Sequence, residues 1–212
     1  MVDEFMKDPQ RGYGGGTAKL FQDIHAGGDW KVLAANMFGP GKGSYGNGGA
    51  MRSAPIGAFY GYENLNLISK ETTLATLTTH VNVDAVDGAI AVALAAAVAG
   101  RDDYWTAILD NLNDGPVKEK ILEASKFPLT TPVIDVAARL GTGLHVSALD
   151  TVPFALWLAD CGLINEDFEA PMEVVSQLVG DTDTLCAIIG GVIGNVLTPS
   201  QEWLDRTEPL GL

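Results

Sequence analysis

Apolar and polar residues rarely alternate with a period of two along this chain, whereas apolar positions three and four apart recur between glycine and proline breaks. That pattern predicts helices almost throughout. Thr17 can cap a short helix carrying Leu20, Phe21 and Ile24 on one face and ending at Gly27-Gly28. Residues 36–49 form a glycine-dense loop, followed by a helical stretch through Met51, Pro55, Ile56 and Phe59. Ser69 is expected to open a helix through Thr79, and Asp84 to cap the next, which Gly100 closes. Between them, 89–98 is apolar all round, so this helix is predicted to be central, with small side chains that let neighbours approach closely.

Tyr104, Trp105, Ile108, Leu109 and Leu112 mark an amphipathic helix, and Pro116 suits the first position of another. Further helices are predicted over 132–140, over 153–161 ending at Gly162, over 171–179 ending at Gly180, from Asp183 onward, and over 200–206. No repeat or linker divides them. The expected fold class is all-α, a compact helical bundle in one domain spanning 1–212.

Composition agrees with a packed core: 47% of the 212 residues are hydrophobic and 19% charged. A net charge of -14 opposes binding to a nucleic-acid backbone, which would be repelled over most of the surface. The apolar runs 85–100 and 185–197 fall short of the roughly 20 residues a bilayer span needs, and the first residues carry no secretory pattern. A soluble cytoplasmic protein with no membrane partner is expected. Cys161 and Cys186 form no metal-like spacing with His25, His80 or His145 and are expected to be small buried residues.

Two segments can carry chemistry. In Gly43-Ser44-Tyr45-Gly46-Asn47-Gly48, small residues allow backbone N–H groups to converge on an anion, and a helix beginning after Asn47 would add its positive end. Gly41, Gly43 and Gly46 satisfy a dinucleotide glycine spacing, but no strand precedes them. Lys42 lacks the P-loop context, and Ser44 lacks the flanking glycines of a nucleophile elbow. A surface loop capping a helix explains the composition equally well. In Gly180-Asp181-Thr182-Asp183-Thr184, two carboxylates and a hydroxyl present hard oxygens that suit Mg²⁺ or Mn²⁺ better than zinc. Simple N-capping of the following apolar helix is the alternative.

Taken together, Gly43–Gly57, Thr79-His80 with Ala85 and Gly88, Asp150-Thr151-Val152-Pro153, and Gly180–Thr184 leading into Gly190-Gly191 resemble, in order, four blocks of the ADP-ribosyl hydrolases, the family that includes the dinitrogenase-reductase-activating glycohydrolase. Arg11-Gly12-Tyr13-Gly14 resembles the stretch before the loop. The resemblance implies an all-α enzyme that hydrolyses the glycosidic bond between ADP-ribose and a modified protein side chain or small acceptor, using two Mg²⁺ or Mn²⁺ ions. It implies Asp181, Asp183 and Thr184 as metal ligands. Gly43, Ser44, Tyr45, Gly46, Asn47 and His80 would bind ADP-ribose, and no residue emerges as the catalytic group. Arg52 is expected in a structural ion pair, and Asp102-Asp103 as a helix cap.

The family's N-terminal Thr-Asp-Asp-Thr motif has no counterpart here, so the chain resembles the C-terminal two-thirds of such a protein. A catalytically inactive ADP-ribose-binding or regulatory protein is therefore the alternative reading. An uncovered apolar core, and with it self-association, is expected unless other elements cover it.

Overall fold

The computed structural model describes residues 1–208 as an all-helical body. The helices are α1 (Val2–Lys7), α2 (Gly15–His25), α3 (Trp30–Ala35), α4 (Gly48–Met51), α5 (Ala54–Tyr60), α6 (Leu65–Leu77) and α7 (Val83–Ala97). They continue as α8 (Tyr104–Asp110), α9 (Pro116–Ala124), α10 (Val133–Leu140), α11 (Ala148–Asn165), α12 (Ala170–Ser176), α13 (Thr182–Ile193) and α14 (Gln201–Asp205). Among the described residues the sole β-type pairing is an isolated antiparallel bridge between Gly46 and Ser147.

As its apolar circumference predicts, α7 is the axle of the fold, packed on α4, α5, α6, α11 and α13. Glycines set how near the neighbours come. A Cβ on Gly57 of α5 would lie 1.7 Å from the Ala93 carbonyl oxygen, and one on Gly88 would lie 2.7 Å from the Ala148 Cβ of α11. Both contacts are closer than atoms tolerate, so only hydrogen fits there. A second, smaller cluster, Phe5, Leu20, Phe21 and Ala34, lies apart from this core and holds α1–α3 together. Tyr13 adds an edge-on ring 5.0 Å from Phe5.

Several boundaries differ from expectation. The α2 helix starts at Gly15 without a side-chain cap, ahead of Thr17. Asn82, rather than Asp84, caps α7 by accepting the Asp84 N–H. The α11 helix begins at Ala148, capped by Ser147, and continues through Pro153 and Gly162. Pro153 removes one internal bond without ending the helix, since its neighbours are wholly buried. Asp103 stands before α8 but makes no cap bond, pairing with exposed Arg101 instead. Cys161 and Cys186 are half-buried rather than buried. Phe59, Leu67 and Leu74 of α5 and α6 remain in solvent. No helix among the described residues is long and apolar enough to cross a membrane.

Candidate functional site

The glycine loop and the acidic segment, 134 residues apart, open onto one cleft of about 780 Å³. Ser44–Gly48, His80, Asp181, Asp183 and Thr184 all line it, opposite Arg11–Thr17 of the small N-terminal lobe. Gly43 stands behind the wall at φ +62°, where a Cβ would meet Val81 and the Asn82 nitrogen at 2.9 Å.

A third segment, 141–147, ties the two together. Asp181 donates its N–H to the Thr142 carbonyl at 2.9 Å, and the Thr142 hydroxyl donates to the Val179 carbonyl at 2.7 Å. At the other end Asn47 donates its N–H to the Val146 carbonyl at 3.3 Å, and Ala148 donates to the Tyr45 carbonyl at 3.1 Å. Gly143, at φ +82°, permits the join, since a Cβ would lie 2.6 Å from that of Asp181. Sequence patterns offer little sign of this clamp beyond the pair Gly141 and Gly143, because apart from the Thr142 hydroxyl its work is done by backbone atoms.

Asn47 and Asp181 both occupy N-cap positions, of α4 and α13, yet neither side chain makes a cap bond. They meet instead: Asn47 Nδ2 donates to Asp181 Oδ2 at 2.7 Å and to Thr151 Oγ1 at 2.9 Å. Thr151 spends its own proton on the Ser147 carbonyl at 2.8 Å, so it must accept from Asn47. Both amide protons are thereby engaged, which leaves Oδ1 as the free end of the amide.

The loop's backbone is less available to an anion than its composition suggests. Gly46 donates its N–H to Ser44 Oγ at 3.2 Å, and the Asn47 N–H is held by Val146. The helix that follows is a single turn, so its dipole adds little. The Ser44 hydroxyl proton, the Gly48 N–H at the start of α4 and the Tyr45 side chain, half exposed beside Phe38 at 5.8 Å between ring centroids, are among the groups left to meet a ligand.

Burial and the neighbouring Asp183 push the Asp181 carboxyl above its ordinary range, with Asn47 and Thr184 opposing the shift. Asp183 is held lower, chiefly by its interaction with Asp181. Two carboxyl groups that share charge in this way are the arrangement a cation relieves. Thr184 donates its hydroxyl to Met51 Sδ at 3.6 Å. No group of three His, Cys, Asp or Glu side chains arranged for a metal occurs among the described residues.

His80 is buried, with Nδ1 2.6 Å from the Thr79 hydroxyl; burial first, then the Arg52 charge, brings its pKa down to about 4. Contrary to expectation, Arg52 makes no ion pair with another described residue. It donates to the Gly48 and Ala75 carbonyls and to the Thr78 and Thr79 hydroxyls, so a half-buried cation is solvated by neutral oxygens. His145 lies at the cleft rim and His25 is exposed at the end of α2.

The ADP-ribosylglycohydrolase family model matches residues 2–208. A human protein named ADP-ribosylhydrolase ARH3 is 29% identical over 91% of this chain and 61% of its own length. The chicken protein of that name is 26% identical over the same shares. An uncharacterised protein of Archaeoglobus fulgidus is 30% identical over 95% of this chain and 64% of its own. The chain thus spans less than two-thirds of these relatives.

Proposed function

The chain belongs to the ADP-ribosylglycohydrolase family, and on that footing we propose that its cleft binds ADP-ribose and serves metal-assisted hydrolysis of the glycosidic bond joining ADP-ribose to a protein side chain or small acceptor. One observation carries the reading: the Asn47 amide spans the glycine loop and Asp181, so nucleotide-binding and cation-binding groups face the same space.

Asp181, Asp183 and Thr184 offer hard oxygens that fit Mg²⁺ or Mn²⁺, and the free Asn47 Oδ1 is a fourth. These fall short of the six oxygens of an octahedral site, and water or a further chain segment would complete it. Bound there, the cation would supply polarisation of an attacking water and of ribose hydroxyls. The protein's own groups do the rest. The Ser44 hydroxyl and His80 Nε2, both on the cleft lining, would donate to the diphosphate and its ribose, and the exposed Phe38 and Tyr45 would offer the base a stacking surface. Carboxylates beside the ribose favour the positive charge that develops on the sugar as the bond breaks.

Calorimetric titration of ADP-ribose, with and without Mg²⁺ or Mn²⁺, tests the reading. Binding that the cation strengthens, and that the Asp181→Asn, Asp183→Asn double variant loses while helix content by circular dichroism stays intact, is expected. Absence of binding to either ligand would sink it. A second reading, an ADP-ribose-binding or regulatory protein that does not cleave, is favoured by the shortage of metal ligands among the described residues. Release of ADP-ribose from a modified protein by this chain alone would remove that alternative.

A further inference from the structure

Three side chains at the cleft wall, Arg52 and His80 lining it and Thr79 behind them, form a directed line. Arg52 reaches from α4 to the end of α6, where Nη2 donates to Thr79 Oγ1 at 3.0 Å. Thr79 Oγ1 in turn lies 2.6 Å from His80 Nδ1. A guanidinium has only donors, so the Thr79 oxygen accepts from it. The hydroxyl proton then remains, and the hydrogen bonds of the described residues give it a single partner, the imidazole Nδ1. The Thr79 oxygen could instead accept twice, but its buried hydroxyl proton would then go unpaired; the arrangement that uses every group leaves Nδ1 unprotonated and puts the ring proton on Nε2.

The far side of the ring fits this polarity. Nε2 faces the glycine loop, where a Cβ on Gly46 would lie 3.2 Å from it and one on Gly48 would lie 3.4 Å from it. Nε2 makes no hydrogen bond to another described residue; among those residues the one fully enclosed side-chain polar atom without a partner is Thr72 Oγ1, elsewhere, so Nε2 keeps access to the cleft. The imidazole is neutral at pH 7, since burial and the Arg52 charge hold its pKa at about 4.

We propose that Arg52 and Thr79 are positioning residues that lock His80 as the Nε2–H tautomer, so that a neutral imidazole presents one fixed donor to an anionic ligand in the cleft. The ligand half of this inference rests on the ADP-ribose reading; the tautomer half does not. A neutral donor suits a site that must also accept a cation, because an imidazolium would repel the metal that the Asp181–Asp183 side attracts.

Nitrogen-15 NMR of the histidine ring decides the first half, because protonated and unprotonated ring nitrogens differ widely in shift. The native chain is expected to show His80 as Nε2–H. Thr79→Val, close in shape, removes the hydroxyl and should give a mixture of tautomers, and Thr79→Ser should restore the native pattern. Arg52→Met, which keeps Thr79 but removes the donor that orients it, should shift the ring in the same direction and serves if Thr79→Val fails to fold. An Nδ1–H ring in the native chain, or an unchanged ring in the variants, overturns the proposal. In parallel titrations ADP-ribose should bind Thr79→Val more weakly in proportion to the Nε2–H fraction that is lost, about twofold for an equal mixture, and Thr79→Ser nearly as the native chain does. Unchanged affinity alongside a changed tautomer overturns the ligand half. If the native chain binds no ADP-ribose, the functional reading falls, while the NMR result still decides the tautomer.

Discussion

The two walls of the cleft are built by different physics. The inner wall, with the glycine loop and the acidic segment, is rooted in a core where α7 touches its neighbours through glycine and alanine, and where backbone bonds through 141–147 fix the spacing. The outer wall, residues 1–37, rests on four buried side chains of its own. Among its contacts with the body are Val81 packed on that cluster, the Gly43 N–H donating to the Ala35 carbonyl at 3.1 Å, and an ion pair of Arg11 with Glu208 at 2.7 Å. On the proposed function, the inner wall would supply the chemistry and the outer wall would shape access. A protein built this way can hold ligand atoms closely on one side while letting the other side loosen.

Breaking the inner wall should have the largest effect. Gly57→Val places atoms inside the Ala93 carbonyl, and the expected outcome is loss of soluble, cooperatively folded protein, read by expression and thermal melting. Phe21→Ala attacks the outer wall. It should remove about 3 kcal/mol from the small lobe, within the range for buried aromatic truncations, while the body keeps its own unfolding transition. Hydrogen exchange should then rise over α1–α3 and stay low in α7. If α7 loosens equally, the two walls are one cooperative unit and the contrast fails.

A pH test refines the inner wall. The His80 imidazole titrates near 6.5 when unfolded and at about 4 when native, so between those values the unfolded chain binds more protons. Stability should be unaffected by this group above pH 6.5 and fall as pH drops toward 4, by at most about 2 to 3 kcal/mol. Melting curves of the native chain and of His80→Gln, compared across that window, isolate the effect. The smallest change is expected for Arg11→Ala: its pair with Glu208 is exposed, so melting should be unchanged and added salt should make no difference.

Much of this was legible in the chain's pattern, and the parts that were not have definite causes. The apolar stretch from Ala89 to Val98 announced a central helix because no polar stripe interrupts it, and of the segments behind the family resemblance the glycine loop, His80 and Gly180–Thr184 meet at one cleft, with Thr151 bonded to Asn47. The α3 helix was hidden by the glycines and asparagine around it, although Asp29, which caps it by accepting the Lys31 and Val32 N–H groups, was a usable signal. The start of α11 was misplaced because Pro153 looks like a first-turn proline, whereas the true cap is Ser147. Arg52 was expected to find a carboxylate. It found carbonyls and hydroxyls, a choice set by the end of α6 and invisible to residue counting. That Asn47 and Asp181 turn toward each other rather than cap their helices likewise depends on long-range packing.

Val146 gives the clamp an unexpected character. It holds φ at +51°, a left-handed backbone that β-branched residues avoid, at an energetic penalty of about 1–2 kcal/mol, while its side chain stands exposed at the cleft mouth. A glycine would ease that torsional tension but would surrender both the stiffness of the peptide that receives Asn47 and the apolar lip beside it. The loop is thus spring-loaded, and the tougher sequence at this position is expected to make the slacker binder.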